Sequence, residues 1–291
     1  MAPTIDIIRH AQASHNIHGG HIRDAILTDD GVVECHLLRE TFPFGSKVTN
    51  IVSSPLRRAI DTAILGVLPL VDNHIKVKLL PDLQEISPAP SSTGIPKSVL
   101  SSQYSGVHNL DMDDLDEYWY RKGFNTPYAP VVDRVEARAR SARQYLRMLA
   151  RTAIEAGKDD AHIVVVTHGE FAHWLTGDFR GVSETRNSGW RNTECRSYQI
   201  RDIFGSGHSD PELVETGESI ERRNGPLFYF VMNAFTIFSP RNIATRRVID
   251  YGEIFRAQER LSLHQANEEP EQLDDEPDIS DDGWIDMDES N

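Results

Sequence analysis

The chain has 291 residues, a formal net charge of −15, 39% hydrophobic and 26% charged residues, so it is long enough for one large domain or two small ones with an ample core. The acidic balance argues against a nucleic-acid or anionic-membrane partner, either of which needs a basic face. Twelve of the acidic residues fall in 268–291, where no Lys or Arg occurs, so the remainder carries only −3 and has room for a local arginine cluster.

Two cysteines, Cys35 and Cys195, are too few for a disulfide framework or a structural zinc site. No stretch reaches the ~18 apolar residues of a membrane span. "MAPTIDIIRH" lacks the basic start and apolar middle of a signal peptide. A soluble cytoplasmic protein is the expectation.

In chain order, Ile5, Ile7 and Ile8 mark a first strand. "VTNIVSS" (48–54) marks a second and runs into "PLRRAIDTAILGVL", whose Leu56, Ala59, Ile60, Ala63, Ile64 and Val67 recur at helical spacing. Ser54 is placed to cap that helix, with Pro55 at its first position. "HIKVKLL" (74–80) alternates as a third strand. Residues 86–130, rich in Pro, Ser, Gly and aromatics, read as an irregular insertion near the active site, with a short helix around "LDEYWYRKG". Residues 131–157 form an amphipathic helix stopped by Gly157, and "HIVVVTH" (162–168) is a solidly apolar central strand. "EFAHWLTGDF" (170–179) reads as a helix and "RNTECRSYQIRDI" (191–203) as a last strand.

Strands alternating with helices predict an α/β fold, a three-layer sandwich around a mostly parallel sheet. The catalytic domain is expected to span 1–200. A C-terminal extension over 201–266 is expected to pack on it, with an apolar stretch at 225–240 that reads as an added buried strand or hairpin. The acidic tail over 267–291 is expected to be disordered.

Parallel strands place their carboxyl ends, and hence a ligand crevice, on one edge of the sheet. His10 and His168 each follow such a strand, so the fold can bring them together. Arg57 and Arg58 open a helix whose dipole is already positive there, which is favourable only if an anion binds. Phosphate matches guanidinium forks best. A neutral imidazole can attack phosphorus, arginines can hold the equatorial oxygens, and Glu85 is the carboxyl best placed to protonate a leaving alkoxide.

These motifs resemble the histidine phosphatase superfamily, the phosphoglycerate-mutase-like proteins, and in particular its fungal-type phosphatase branch. The likeness rests on Arg9-His10, "LTDDG" (27–31), "SSPLRRAIDTA" (53–63), "LQE" (83–85) and "VTHGE" (166–170), in family order over residues 4–200. It implies that His10 is the phosphorylated nucleophile and Glu85 the proton donor. It places Arg9, Arg58 and His168 around the phosphate and Asn16 in contact with it, and it requires neither metal nor cofactor. Arg57 then falls on a variable position and is expected to face solvent. The family's usual Arg-His-Gly-Glu reads Arg9-His10-Ala11-Gln12 here. Ala11 is tolerable where positive φ is not needed. Gln12 lacks a charge that the glycolytic mutases carry, which favours a phosphatase.

The expected function is hydrolysis of a small phosphomonoester through phospho-His10. The alternatives are a mutase-type phosphotransferase, or a non-catalytic protein that binds through the phosphate pocket or the acidic tail. His15, His18 and His21 share a three-residue spacing, but two glycines and the lack of an acidic or thiol partner argue against zinc. That loop lines the entrance or faces water. Tyr118, Trp119 and Tyr120 form either a lid or core packing; Trp174 belongs to the core face of its helix.

Overall fold

The computed structural model describes residues 2–180 and 189–224. Seven strands form one sheet in the order β4-β3-β2-β5-β1-β6-β7. They are β1 (Thr4–Arg9), β2 (Val48–Ser53), β3 (Val77–Leu79), β4 (Leu110–Asp111), β5 (His162–Thr167), β6 (Cys195–Ile200) and β7 (Leu213–Glu215). β1, β2, β3, β4 and β5 pair in parallel, while β6 and β7 extend the sheet antiparallel beyond β1. The architecture is the α/β sandwich with a mostly parallel sheet that the strand–helix alternation predicts.

The pleat sorts side chains to two cores. Ile5, Ile7, Ile163 and Val165 face one layer, built by helix α5 (Val132–Glu155) and helix α6 (Gly169–Thr176) through Ala139, Ala142, Leu146, Phe171 and Leu175. Ile8, Val164 and Val166 face the other, with Leu38 of helix α2 (Asp29–Thr41) and Ala59, Ile60 and Ala63 of the helix that begins at Arg57. β5 is buried along its whole length, as a strand covered on both faces must be.

Several local expectations shift. The helix after β2 is α3 (Arg57–Thr62), continued by a π-turn over Ala63–Val67. It starts two residues later than Ser54 and Pro55 suggest, because the Ser54 hydroxyl accepts from the Leu56 amide at 3.3 Å and holds a turn ahead of the helix. Residues 115–123 form turns, not a helix. The Asp116 carboxylate accepts from the Tyr118 amide at 2.8 Å, an Asx turn, and the Trp119 ring is buried against Gly94. The helix of this region lies earlier, at Lys97–Gln103. Trp119 is therefore core, Tyr118 is half-exposed under Arg121, and Trp174 sits in the α5–α6 core. Of the extension, β7 pairs with β6, and a helix follows over Gly217–Asn224. The apolar 225–240 stretch and the acidic tail lie outside the described residues, whose helices include none long and apolar enough to cross a membrane.

Two constraints place the loops at the strand ends. Thr28 caps α2, accepting from the Gly31 amide at 3.0 Å, and its own amide donates to the Gln12 carbonyl at 3.1 Å. This packs the helix start so closely that a Cβ on Gly31 would stand 2.0 Å from the Gln12 oxygen. Arg57 does not face solvent as expected. Its side chain is 24% exposed and grips Asp24, with Nε to Oδ2 at 3.1 Å and Nη2 to the Asp24 carbonyl at 2.8 Å. The reason is that Asp24 is fully buried with positive φ (43°), and its carboxylate needs a cation.

Gly31→Ala should therefore cost about 1–3 kcal/mol through overpacking, seen as a lowered midpoint in denaturant. Arg57→Ala should cost about 3 kcal/mol at pH 7 by stranding a buried carboxylate. Burial already raises the Asp24 carboxyl despite the pull of Arg57. Without Arg57 the folded-state value rises further above the unfolded one, so the lost stability should return as pH falls through it. Unfolding of this variant at pH 7 and pH 4.5 measures the difference, and equal deficits at both would contradict it.

Candidate active site

Four parallel strands end in register. Arg9 pairs with Thr167, and Ser53 pairs with Val166 and Leu79. Beyond them the His10 amide donates to the Thr167 carbonyl and the Ser54 amide to the Val166 carbonyl, both at 2.9 Å. His10 and His168 thus leave adjacent strands side by side, with ring centroids 5.1 Å apart and both rings buried.

The His10 ring is fixed by two contacts. Nδ1 lies 2.7 Å from the Ala11 carbonyl, which can only accept, so Nδ1 carries the proton. Nε2 is then the lone-pair nitrogen, and it accepts from Arg58 Nε at 3.1 Å. Burial first, then the charges of Arg58 and Arg9, hold His10 well below the ordinary imidazole range. It is a neutral base.

Arg58 is fully buried in the first turn of α3, and its Nη1 donates to the Ser91 carbonyl at 2.6 Å. Burial lowers it to about 10, so it stays charged at neutral pH. Arg9, at the end of β1, donates through Nη1 to the Trp190 carbonyl and keeps its Nε buried without a hydrogen-bond partner. His168 lies 2.8 Å from the Ser54 hydroxyl through Nε2, and its Nδ1 is likewise buried and unpartnered. Burial and Arg58 hold it, too, well below the usual histidine value.

Glu85 lies at the N-terminus of α6. Oε1 accepts from the Ile86 and Phe171 amides at 2.9 and 3.1 Å, and Oε2 from the Glu170 amide at 3.4 Å. Its loop is held from both sides. Arg138 donates to the Asp82 and Gln84 carbonyls at 2.9 and 2.5 Å, and Lys122 donates to the Glu85 and Ser87 carbonyls at 2.6 and 2.8 Å. Burial, then Arg138, depresses the Lys122 ammonium well below its ordinary value. Asn16 is exposed. Its Oδ1 accepts from the Ala13 amide at 2.9 Å, and its Nδ2 meets His15 Nε2 at 3.3 Å.

Lys122, Asn192 and Glu34 are residues that sequence reading missed, and His15 is one that it placed only in an entrance loop. The His15 ring packs 5.4 Å from that of His10, while His18 and His21 face outward, so the three-residue spacing has no common focus. Asn192 donates to the His10 carbonyl at 2.9 Å. Glu34 accepts from the Gln12 amide at 2.7 Å and acts on Arg9 electrostatically. Only His15 carried a signal, its place inside "RHAQASHN". Lys122 and Asn192 sit in loops without periodicity, and Glu34 lies on a helix with too weak an apolar pattern to be read.

The arrangement is suited to a tetrahedral oxyanion. It offers two arginines, several imidazoles and buried nitrogens without partners around one imidazole lone pair.

A probable phosphatase of Schizosaccharomyces pombe is 28% identical over 172 residues, covering 57% of this chain and 74% of that one. Among solved structures, a mycobacterial glucosyl-3-phosphoglycerate phosphatase is 17% identical with TM-score 0.45, covering 73% of this chain and 96% of its own. The ecdysone phosphate phosphatase of Bombix mori is 13% identical with TM-score 0.48, covering 87% and 99%. Residues 5–209 match the histidine phosphatase superfamily (branch 1), and the chain belongs to that family.

Proposed function

We propose that this protein is a phosphatase that hydrolyses a small phosphomonoester through a phosphohistidine on His10. The observation that carries the reading is the locked His10 ring. With Nδ1–H held on the Ala11 carbonyl, the Nε2 lone pair faces Arg58, beside a His168 ring 5.1 Å from that of His10 and the adjoining Arg9, each of which keeps one buried nitrogen without a hydrogen-bond partner.

Nε2 attacks phosphorus as the Arg58 Nε–H moves from the imidazole onto a phosphoryl oxygen. Arg9, Arg58 and His168 hold the three equatorial oxygens while charge spreads over them. The ester P–O bond breaks, and Glu85 gives its proton to the departing alkoxide. Oε2 is the freer oxygen for that task, since its one bond, at 3.4 Å, is the longest of the three. Water then attacks the phosphohistidine. Glu85 takes up its proton, the P–N bond breaks, and His10 returns to its starting tautomer.

Small substrates fit the near-balanced charge outside the tail, which offers no track for a polyanion. Substrate selection is assigned to the loops 15–24 and 86–130. Ser91 of the second binds Arg58, and the Ser91 amide donates to the Gly20 carbonyl of the first at 2.9 Å.

Phosphate release from p-nitrophenyl phosphate in EDTA tests the proposal. Wild type should turn over, and His10→Ala should lose at least about 10³-fold in kcat with its fold intact. Product formation without sustained phosphate release would point to a mutase instead, and equal activity in the variant would end the phosphohistidine reading. Because His10 is held below its ordinary value, its free base persists where a solvated histidine would already be protonated. Across the pH range in which a solvated histidine protonates, kcat/KM should therefore show no fall that His10 protonation would cause.

A further inference from the structure

His15 and Asn16 carry a consequence that reaches past the residues implied by the family motifs. Asn16 caps the short helix Ser14–His18, and its Oδ1 accepts from the Ala13 amide at 2.9 Å. A backbone N–H can only donate, so this bond fixes which end of the Asn16 amide is oxygen. The NH2 end then faces His15 Nε2 at 3.3 Å, and Nε2 must accept. The His15 proton is thereby forced onto Nδ1. That Nδ1 is buried with no hydrogen-bond partner, on a ring tilted 52° against His10. An N–H buried without an acceptor is unfavourable. Nothing in the local packing requires it, since none of the residues of this short helix is fully buried.

We propose that His15 is a substrate-binding residue whose Nδ1–H donates to an oxygen of the phosphoryl group at His10, and that Asn16 is a positioning residue that selects the donating tautomer. The proposal rests on the His10 reading above. His15 acts as a neutral donor. Burial, Arg58 and Arg9 push it down to about 3, so it carries no charge of its own at working pH. The groups that face it, Arg9, Arg58, His10 and His168, are either cations or imidazoles held neutral, and an anion among them satisfies all at once.

The test is inhibition by inorganic phosphate and by vanadate, read beside kcat, KM and thermal unfolding. His15→Ala should weaken both inhibitors roughly tenfold or more, as for a lost hydrogen bond to a charged group, with the unfolding midpoint little changed. His15→Asn, whose amide NH2 can stand near Nδ1, should recover part of the loss. Asn16→Asp keeps the acceptor for Ala13 but cannot donate to Nε2. It should turn the His15 proton away from the site and weaken the inhibitors nearly as much as His15→Ala. In the double variant the Asn16→Asp effect should vanish, because the two residues act as one unit.

Unchanged inhibition in His15→Ala would overturn the proposal. So would an Asn16→Asp effect that persists undiminished without His15, since Asn16 would then touch the phosphate itself. Should His15→Ala fail to fold, Asn16→Asp and His15→Asn retain the same discrimination. Trapping of phosphohistidine on denatured wild-type protein separates the two readings. Its absence removes the His10 mechanism, whereas its presence with unaltered inhibitor affinity in the His15 variants removes only the role of His15.

Discussion

Everything at this site depends on the parallel register of β1 against β5. The pairing runs from Thr4 against His162 to Arg9 against Thr167 without a slip, so both strands end on the same level and their next residues, His10 and His168, become neighbours. A slip of one residue would exchange the faces of every side chain in β1. Ile5 and Ile7 would leave the α5–α6 core, and the His10 amide would lose the Thr167 carbonyl. Because β5 is buried on both sides, such a slip is heavily penalised. The core thus fixes the geometry of the chemistry, although no core residue takes part in it.

On that frame the protein concentrates positive charge out of water. Arg9, Arg58, Lys122 and Arg138 each have burial as the largest influence on their ionisation, and each is lowered by it. Backbone carbonyls satisfy much of their donor capacity: Trp190 for Arg9, Ser91 for Arg58, Glu85 and Ser87 for Lys122, Asp82 and Gln84 for Arg138. Carbonyl dipoles hold a cation in place without neutralising it. The field therefore remains available to an incoming anion, and it adds to burial in keeping the imidazoles neutral. A cluster built this way is pre-formed and suited to receive an anion.

What the sequence reveals follows from the range of the interactions. The strands, the long helix α5 and the layer order are legible because apolar periodicity reports burial directly, as Ile5, Ile7, Val135, Ala139 and Ala142 do. The identity of His10, Arg58 and His168 as a set is legible from the motifs, and their convergence from the parallel topology. Lys122 and Asn192 were out of reach, since each meets the site through a loop whose path no pattern encodes. Arg57 was misread for a related reason. Its partner Asp24 looks like an ordinary loop acid, and only the fold shows that the acid is buried. The helix expected near Trp119 failed because an Asx turn and the burial of one large ring outweigh weak helical spacing.

The departures at Ala11 and Gln12 are explained by the same neighbourhood. Ala11 does not adopt positive φ, so no glycine is required there, and its amide donates to the Thr62 hydroxyl at 3.0 Å. The tight approach falls instead on Gly31, the last residue of "LTDDG". The Gln12 side chain is engaged in the cap of α2, where its Oε1 accepts from the Thr28 hydroxyl at 2.7 Å. A carboxylate does reach this turn, from α2. Glu34 binds the Gln12 amide and is among the acidic groups that sustain the charge of Arg9. Thr28, Gly31 and Glu34 thus tie the start of α2 to the turn after His10. Through Thr28 and Gly31 the "LTDDG" motif braces the turn that follows His10.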